Sequence, residues 1–207
     1  MDGLLDRPEG ACALYVLAHG AGAGMRHPFL ARTAELLAER NVATFRYEFP
    51  YMSEGRKRPD PPGVATRAVR DAVEDASKKT DLPLVAGGKS FGGRMTSTAQ
   101  SHEPLPGVRG LVFLGFPLHA PGRVGDNRAE HLYSIEIPML FIQGTRDALA
   151  DLDLMRGVCK QLGSLATLYI VEGGDHSFKV LKRFGRKESE VMSEIADTVA
   201  SWTEGLL

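Results

Sequence analysis

Ser90 stands between two glycines in Gly88-Lys89-Ser90-Phe91-Gly92, where the apolar run Val85-Ala86-Gly87 gives way to the helix-compatible residues that follow Gly93. Such a stretch reads as strand, sharp turn and helix, and the glycines sit where a side chain would collide with the neighbouring strand or helix. A serine on that turn is lifted clear of a sheet, with a helix N-terminus behind it that favours developing negative charge. The chemistry it suggests is nucleophilic attack on a carbonyl. A serine hydroxyl is a poor nucleophile at neutral pH, so the reading needs a general base, an acid to orient it, and a second main-chain N–H beside that of Phe91 to bind the oxyanion. Five residues carry little specificity alone, because a glycine-rich strand-to-helix turn also occurs as plain structure.

The missing partners lie further along the chain. Asp147 closes Gln143-Gly144-Thr145-Arg146-Asp147 and His176 closes Glu172-Gly173-Gly174-Asp175-His176, each just after an apolar run. His176 is the expected base and Asp147 the acid that holds its imidazole in the needed tautomer. The run Leu14-Tyr15-Val16-Leu17-Ala18 ends in His19-Gly20-Ala21-Gly22-Ala23-Gly24, a loop whose free N–H groups could supply the second oxyanion donor, from Ala21 or Gly22. His19 would brace that loop. His119, after Gly115-Phe116-Pro117-Leu118, competes with His176 as base, but its position fits a substrate-contacting residue better; Tyr51 and Met52, just past the second strand, are the other candidates for substrate contact. Asp151 and Asp153 fit a solvated charge or a helix cap and Asp175 a turn, whereas His27, His102 and His131 fall at or near helices, where a lone histidine usually serves structure.

These residues are positioned by six short apolar runs that alternate with helical patterns: Leu14–Ala18, Val42–Phe49, the run before Ser90, Leu111–Leu114, Pro138–Gln143 and Thr167–Val171. Continuous apolar strands separated by amphipathic helices imply an α/β fold, with a mostly parallel sheet and helices on both faces. Helices are expected over Pro28–Arg40, Val64–Lys79, the stretch after Ser90, the stripe Leu152, Met155, Val158, Cys159 and Leu162, and about Lys187–Leu206. Ligands of such sheets bind at the C-terminal strand ends, where every candidate residue falls. The chain order Ser90, Asp147, His176 is that of triad partners in α/β-hydrolases. Ala120–Ile137 reads as loop with one short helix, too short for a cap domain. Ser53–Gly63 reads as irregular, and its Arg56-Lys57-Arg58 run is either solvated charge or an attractor for an anionic substrate.

At 207 residues, 43% hydrophobic and 25% charged, the chain is expected to form a single domain over residues 1–207. A formal net charge of −1 recommends neither nucleic acid nor an anionic membrane as partner. The N-terminus lacks the order of a signal peptide and no apolar run is long enough for a membrane span, so a cytoplasmic protein is expected. Cys12 and Cys159 have no metal-ligand spacing and are expected to be reduced. No metal and no cofactor are expected, and the partner would be a small-molecule acyl substrate.

The segments Leu17–Gly22, Phe49–Met52, Gly88–Met95, Gly115–His119, Gln143–Asp147 and Gly174–His176 together resemble the cap-less, dienelactone-hydrolase-like α/β-hydrolases, a group that includes testis-expressed protein 30. The resemblance runs from about Leu14 to the C-terminus. It implies a hydrolase with Ser90, Asp147 and His176 as the matching triad. Dienelactone hydrolases proper carry cysteine where this chain has Ser90, so lactone specificity does not carry over. About 13 residues precede the first expected strand, so the N-terminal antiparallel strands of larger relatives are expected to be missing. The alternative is a non-catalytic scaffold on the same fold, since relatives of the group include a subunit of a chromatin-modifying complex.

Overall fold

The computed structural model describes residues 2–207. Its centre is a seven-stranded sheet of order β1-β3-β2-β4-β5-β6-β7. The strands are β1 (Gly3–Asp6), β2 (Ala13–Ala18), β3 (Val42–Tyr47), β4 (Leu84–Lys89), β5 (Val108–Leu114), β6 (Met139–Gly144) and β7 (Ala166–Val171). β2 to β7 are parallel, and β1 runs antiparallel to β3 at the edge.

The side-chain period of two explains why one apolar strand serves two cores. Leu14, Val16 and Ala18 of β2 face one helical layer, with Phe45, Ala86, Phe113 and Phe141 of the neighbouring strands. Tyr15 and Leu17 face the other, with Val42, Val85, Val112 and Leu140. The first layer contains α3 (Pro62–Ser77), α4 (Phe91–His102) and α5 (Leu152–Leu162); the second contains α1 (Pro28–Ala38) and α6 (Glu188–Glu204), and a short α2 (Pro50–Ser53) follows β3. Each helix start has a local cause. Proline occupies the first turn of α1, α2 and α3, where its missing N–H costs nothing. The Asp151 carboxylate accepts the N–H groups of Asp153 and Leu154 at the start of α5, which decides for a cap over a merely solvated charge.

The structure departs from the sequence reading at several elements. The sheet has seven strands rather than six, and the seventh is an N-terminal antiparallel strand of the kind expected to be missing. β1 is only four residues long and half exposed, too short to show an alternation, and its register is secured by tertiary contacts. Leu4 pairs with Arg46 of β3, whose nearly buried guanidinium donates to the Asp6 carboxylate at 2.7 Å. The segment after β3 also coils into α2 before the irregular part of the loop. The region 120–137 contributes 3₁₀ turns at Asn127–Ser134. Among the described residues, no further domain stands over the C-terminal strand ends, and no helix is long and apolar enough to cross a membrane.

Candidate active site

Ser90 links β4 directly to α4 and holds φ 50° and ψ −113°, a conformation that costs on the order of 1–3 kcal/mol for a residue with a side chain. The turn survives because its surroundings leave no alternative. A Cβ on Gly88 would run into the Ala18 carbonyl, and one on Gly92 would come within 2.5 Å of the His19 carbonyl oxygen, so β4 and α4 seat against β2 only with glycine on both sides.

The turn, the loop after β6 and the loop after β7 meet at one place. His176 Nε2 lies 2.8 Å from Ser90 Oγ, and His176 Nδ1 lies 2.7 Å from Asp147 Oδ2. With Asp147 ionised, Nδ1 carries the proton and donates to the carboxylate, which leaves the Nε2 lone pair facing the serine hydroxyl. The Asp147 side chain is fully buried and accepts two more hydrogen bonds, from Gln143 Nε2 at 2.5 Å and from the Leu149 N–H at 2.8 Å. Gln143 is itself fixed, its Oε1 accepting the Phe116 N–H at 3.0 Å. The loops that carry Asp147 and His176 are also laced together. The Gly173 N–H donates to Thr145 Oγ1, the Arg146 N–H donates to the Gly174 carbonyl, and Gly144 lets the main chains touch, since a Cβ there would meet the Gly174 carbonyl. Asp175 accepts the Ser177 and Lys179 N–H groups and shapes the turn.

On the oxyanion side, Phe91 is the first residue of α4, so its N–H has no intrahelical acceptor. Ala21 lines the cavity beside Ser90, and its N–H has no partner among the described residues. Gly22 does not share that freedom: its N–H donates to Tyr51 Oη at 2.9 Å, which removes it as an oxyanion donor. Tyr51 is thereby also reassigned. It is fully buried, packs among Phe49, Phe91 and His19, and holds the Gly20–Gly24 loop from behind instead of facing the cavity. Met52 lines a separate shallow depression with Gly24, Arg26 and Glu48.

His119 is the other reassignment. Its Nδ1 donates to the Ala120 carbonyl at 3.0 Å and its Nε2 accepts the Asp151 N–H at 3.2 Å. With both ring nitrogens taken by main chain and the residue 7% exposed, it ties the loop after β5 to the start of α5 and does not line the cavity beside Ser90. His19 is used the same way. Its Nδ1 donates to the Gly20 carbonyl, its Nε2 accepts the Phe49 N–H with the Glu48 carboxylate also 3.3 Å away, and burial lowers its pKa. His27 accepts the Phe29 N–H at the start of α1, and His131 bonds Ser97 on α4.

A cavity of about 740 Å³ opens beside Ser90 and His176. Phe29, Leu30, Leu149 and Met192 make it apolar, and Lys89, Arg32 and Lys179 supply cationic groups. The Arg56-Lys57-Arg58 run is elsewhere; Arg56 is committed to Glu54 and Asp60, and none of the three lines the cavity. Sequence reasoning missed Gln143, visible only as part of a loop motif, and Lys89, visible only as spacing. A lysine inside a strand buried on both faces was the available signal.

This geometry agrees with the comparisons. Residues 11–204 match the model of the alpha/beta hydrolase domain, so the chain belongs to that family. Among solved structures, it is similar to a dienelactone hydrolase from Anabaena variabilis ATCC 29413, with a TM-score of 0.75 and 23% identity over 99% of this chain and 91% of that one. It is also similar to Est1E from Butyrivibrio proteoclasticus, determined with ferulic acid bound (TM-score 0.74, 17% identity, 97% and 94% coverage). A third is an α/β serine hydrolase without a lid from Xanthomonas campestris (TM-score 0.70, 22% identity, 97% and 88% coverage). At these identities the likeness establishes the fold and leaves the choice of substrate to the site itself.

Proposed function

We propose that this hydrolase is a carboxylesterase-type serine enzyme that cleaves an ester, thioester or related acyl bond of a small molecule, with Ser90, His176 and Asp147 as its catalytic triad. The observation that carries the reading is the continuous relay from Ser90 Oγ to His176 Nε2 and from His176 Nδ1 to Asp147 Oδ2, at 2.8 and 2.7 Å. Ser90 Oγ attacks the acyl carbon while His176 Nε2 takes the hydroxyl proton, and the carbonyl oxygen becomes an oxyanion facing the N–H groups of Phe91 and Ala21. Collapse breaks the bond to the leaving group, which departs with the proton from His176, and an acyl group remains on Ser90. Water then repeats the sequence: His176 takes its proton, the acyl–Ser90 bond breaks, and the acid leaves as Ser90 recovers its hydrogen. Asp147 keeps the imidazole in the Nδ1–H tautomer and stabilises the imidazolium between the two transfers.

The cavity next to Ser90 is open and largely apolar, which suits a small acyl group without a lid to close over it. Cys12 and Cys159 are both free thiols, the state a cytoplasmic enzyme would keep. The test is covalent labelling by a fluorophosphonate. Wild type is expected to label and Ser90→Ala to lose all label with an unchanged far-ultraviolet circular dichroism spectrum. Equal labelling of the two would remove Ser90 from the mechanism, and an unlabelled, folded wild type would favour a non-catalytic scaffold.

A further inference from the structure

The residue before the nucleophile is a buried lysine. Lys89 is 8% exposed and, among the described residues, takes part in no ion pair. Its stem passes beneath Gly20 of the loop after β2. Its Nζ donates to the His176 main-chain carbonyl at 2.5 Å and sits against the rings of Phe178 and Phe29, 5.4 and 6.0 Å from their centroids. Those rings stack on each other, and Phe178 holds φ 62° to reach its place. Room for the contact is left by Gly115 at the end of β5, where a Cβ would lie 2.9 Å from Nζ. One side chain thus touches loops from three strands and ends on the residue that carries the base.

Resting on the triad reading above, we propose that Lys89 is a positioning residue: its ammonium clamps the His176 main chain onto the nucleophile elbow and so sets the distance between imidazole and hydroxyl. Burying an unpaired cation is costly, and a methionine would fill the same space at less cost. A charged donor to a carbonyl is roughly twice as strong as a neutral one, so the charge gives the clamp its strength. Burial lowers the Lys89 pKa from 10.5 to about 8, against the opposing influence of Asp147 beyond β6 and Asp175 beyond β7. The His176 ring, His27, Arg32, Lys179 and Glu188 are the other titratable or charged groups that share its cavity. The sign follows directly: the ammonium form holds the loop, the amine form holds it weakly, and activity falls as pH rises through about 8.

The experiment measures kcat and KM for p-nitrophenyl acetate from pH 6 to 9.5 in wild type and Lys89→Met. It also follows the Lys89 Cε resonance of ¹³C-lysine-labelled wild type over the same range. Wild type is expected to lose kcat on an alkaline limb whose midpoint coincides with that of the resonance. Lys89→Met is expected to lose kcat about tenfold or more at pH 7 with KM nearly unchanged, since small displacements of a catalytic group cost up to about 10²-fold, and to show no such limb. A folded Lys89→Met with the wild-type rate and limb overturns the proposal. If that variant does not fold, the wild-type midpoints decide alone, and a mismatch between them overturns it. A wild type that fluorophosphonates fail to label at Ser90 would overturn the hydrolase reading and this role with it; labelling without a Lys89 effect overturns only the role.

Discussion

Three loops at the same sheet edge each carry a histidine, and they divide two against one. In the loops after β2 and β5, His19 and His119 each donate from Nδ1 to a main-chain carbonyl and accept a main-chain N–H at Nε2, with the Glu48 carboxylate also 3.3 Å from His19 Nε2. In the loop after β7, His176 has side chains at both nitrogens, a carboxylate at Nδ1 and a hydroxyl at Nε2, and its own side chain is 25% exposed. A ring whose Nε2 lone pair is filled by a main-chain N–H has nothing left with which to take a proton. Position at the strand ends therefore does not single out the proposed base; the chemistry of its two partners does.

The largest effect that can break this comparison comes from exchanging the histidines' fates. His176→Ala is expected to lower kcat for p-nitrophenyl acetate by about 10⁴ with the fold intact, the usual scale for a lost triad member. His119→Ala is expected to keep kcat within about tenfold and instead to lower stability by roughly 0.5–1.5 kcal/mol, the scale of a lost hydrogen bond, since the Asp151 N–H it frees is only part-buried. Denaturant unfolding and turnover on the same preparations separate the two. A stable His119→Ala with the deficit of His176→Ala would put the base in the wrong loop.

A smaller effect sharpens the same contrast on the oxyanion side. Tyr51→Phe removes the acceptor of the Gly22 N–H while keeping the ring among Phe49, Phe91 and His19. Removing an oxyanion donor outright costs about 10²–10³ in kcat, so loosening the loop that presents Ala21 is expected to cost less, about tenfold, mainly in kcat. A change confined to KM would instead make Tyr51 a substrate contact.

What was legible in the sequence divides along the same line. β2, β4 and β6 were readable because strands covered on both faces are continuous apolar runs, and Ser90 because its turn demands glycine at 88 and 92. The placing of Asp147 and His176 after consecutive strands followed from topology alone. The errors lie where one polar group chooses among partners distant in sequence. Gly22 and Ala21 are neighbours in a glycine-rich loop, and only Tyr51, 29 residues away, tells them apart. His119 reads in sequence as a substrate contact because Asp151, 32 residues on, gives no sign of donating its N–H to a ring. β1 exists through Arg46 and Asp6, 40 residues apart, rather than through a pattern of its own.

The smallest expected effect concerns the basic run, which the sequence offers as an attractor for anionic substrates. Arg56 reaches Asp60, whose other carboxylate oxygen accepts the Tyr51 N–H at 2.9 Å, so the arginine stands at the outer end of a chain that leads through Tyr51 to the Gly22 loop. The guanidinium is 46% exposed, whereas the Asp60 side chain is 3% exposed and keeps the Tyr51 N–H as a partner when the arginine is removed. Changing Lys57 and Arg58 to serine is therefore expected to leave kcat/KM unchanged for a carboxylate-bearing ester and for its neutral analogue. Adding Arg56→Ser is expected to lower both by the same factor, about twofold, because the change reaches the site through loop geometry and not through the field. Steering by charge would have a different signature, a loss confined to the anionic ester and erased by added salt as the Debye length shrinks from about 8 Å. That result would mean the loop's charge reaches the cavity after all. A loss shared by both esters and insensitive to salt keeps the loop in the same class as His19 and His119, as support for the groups that face the substrate.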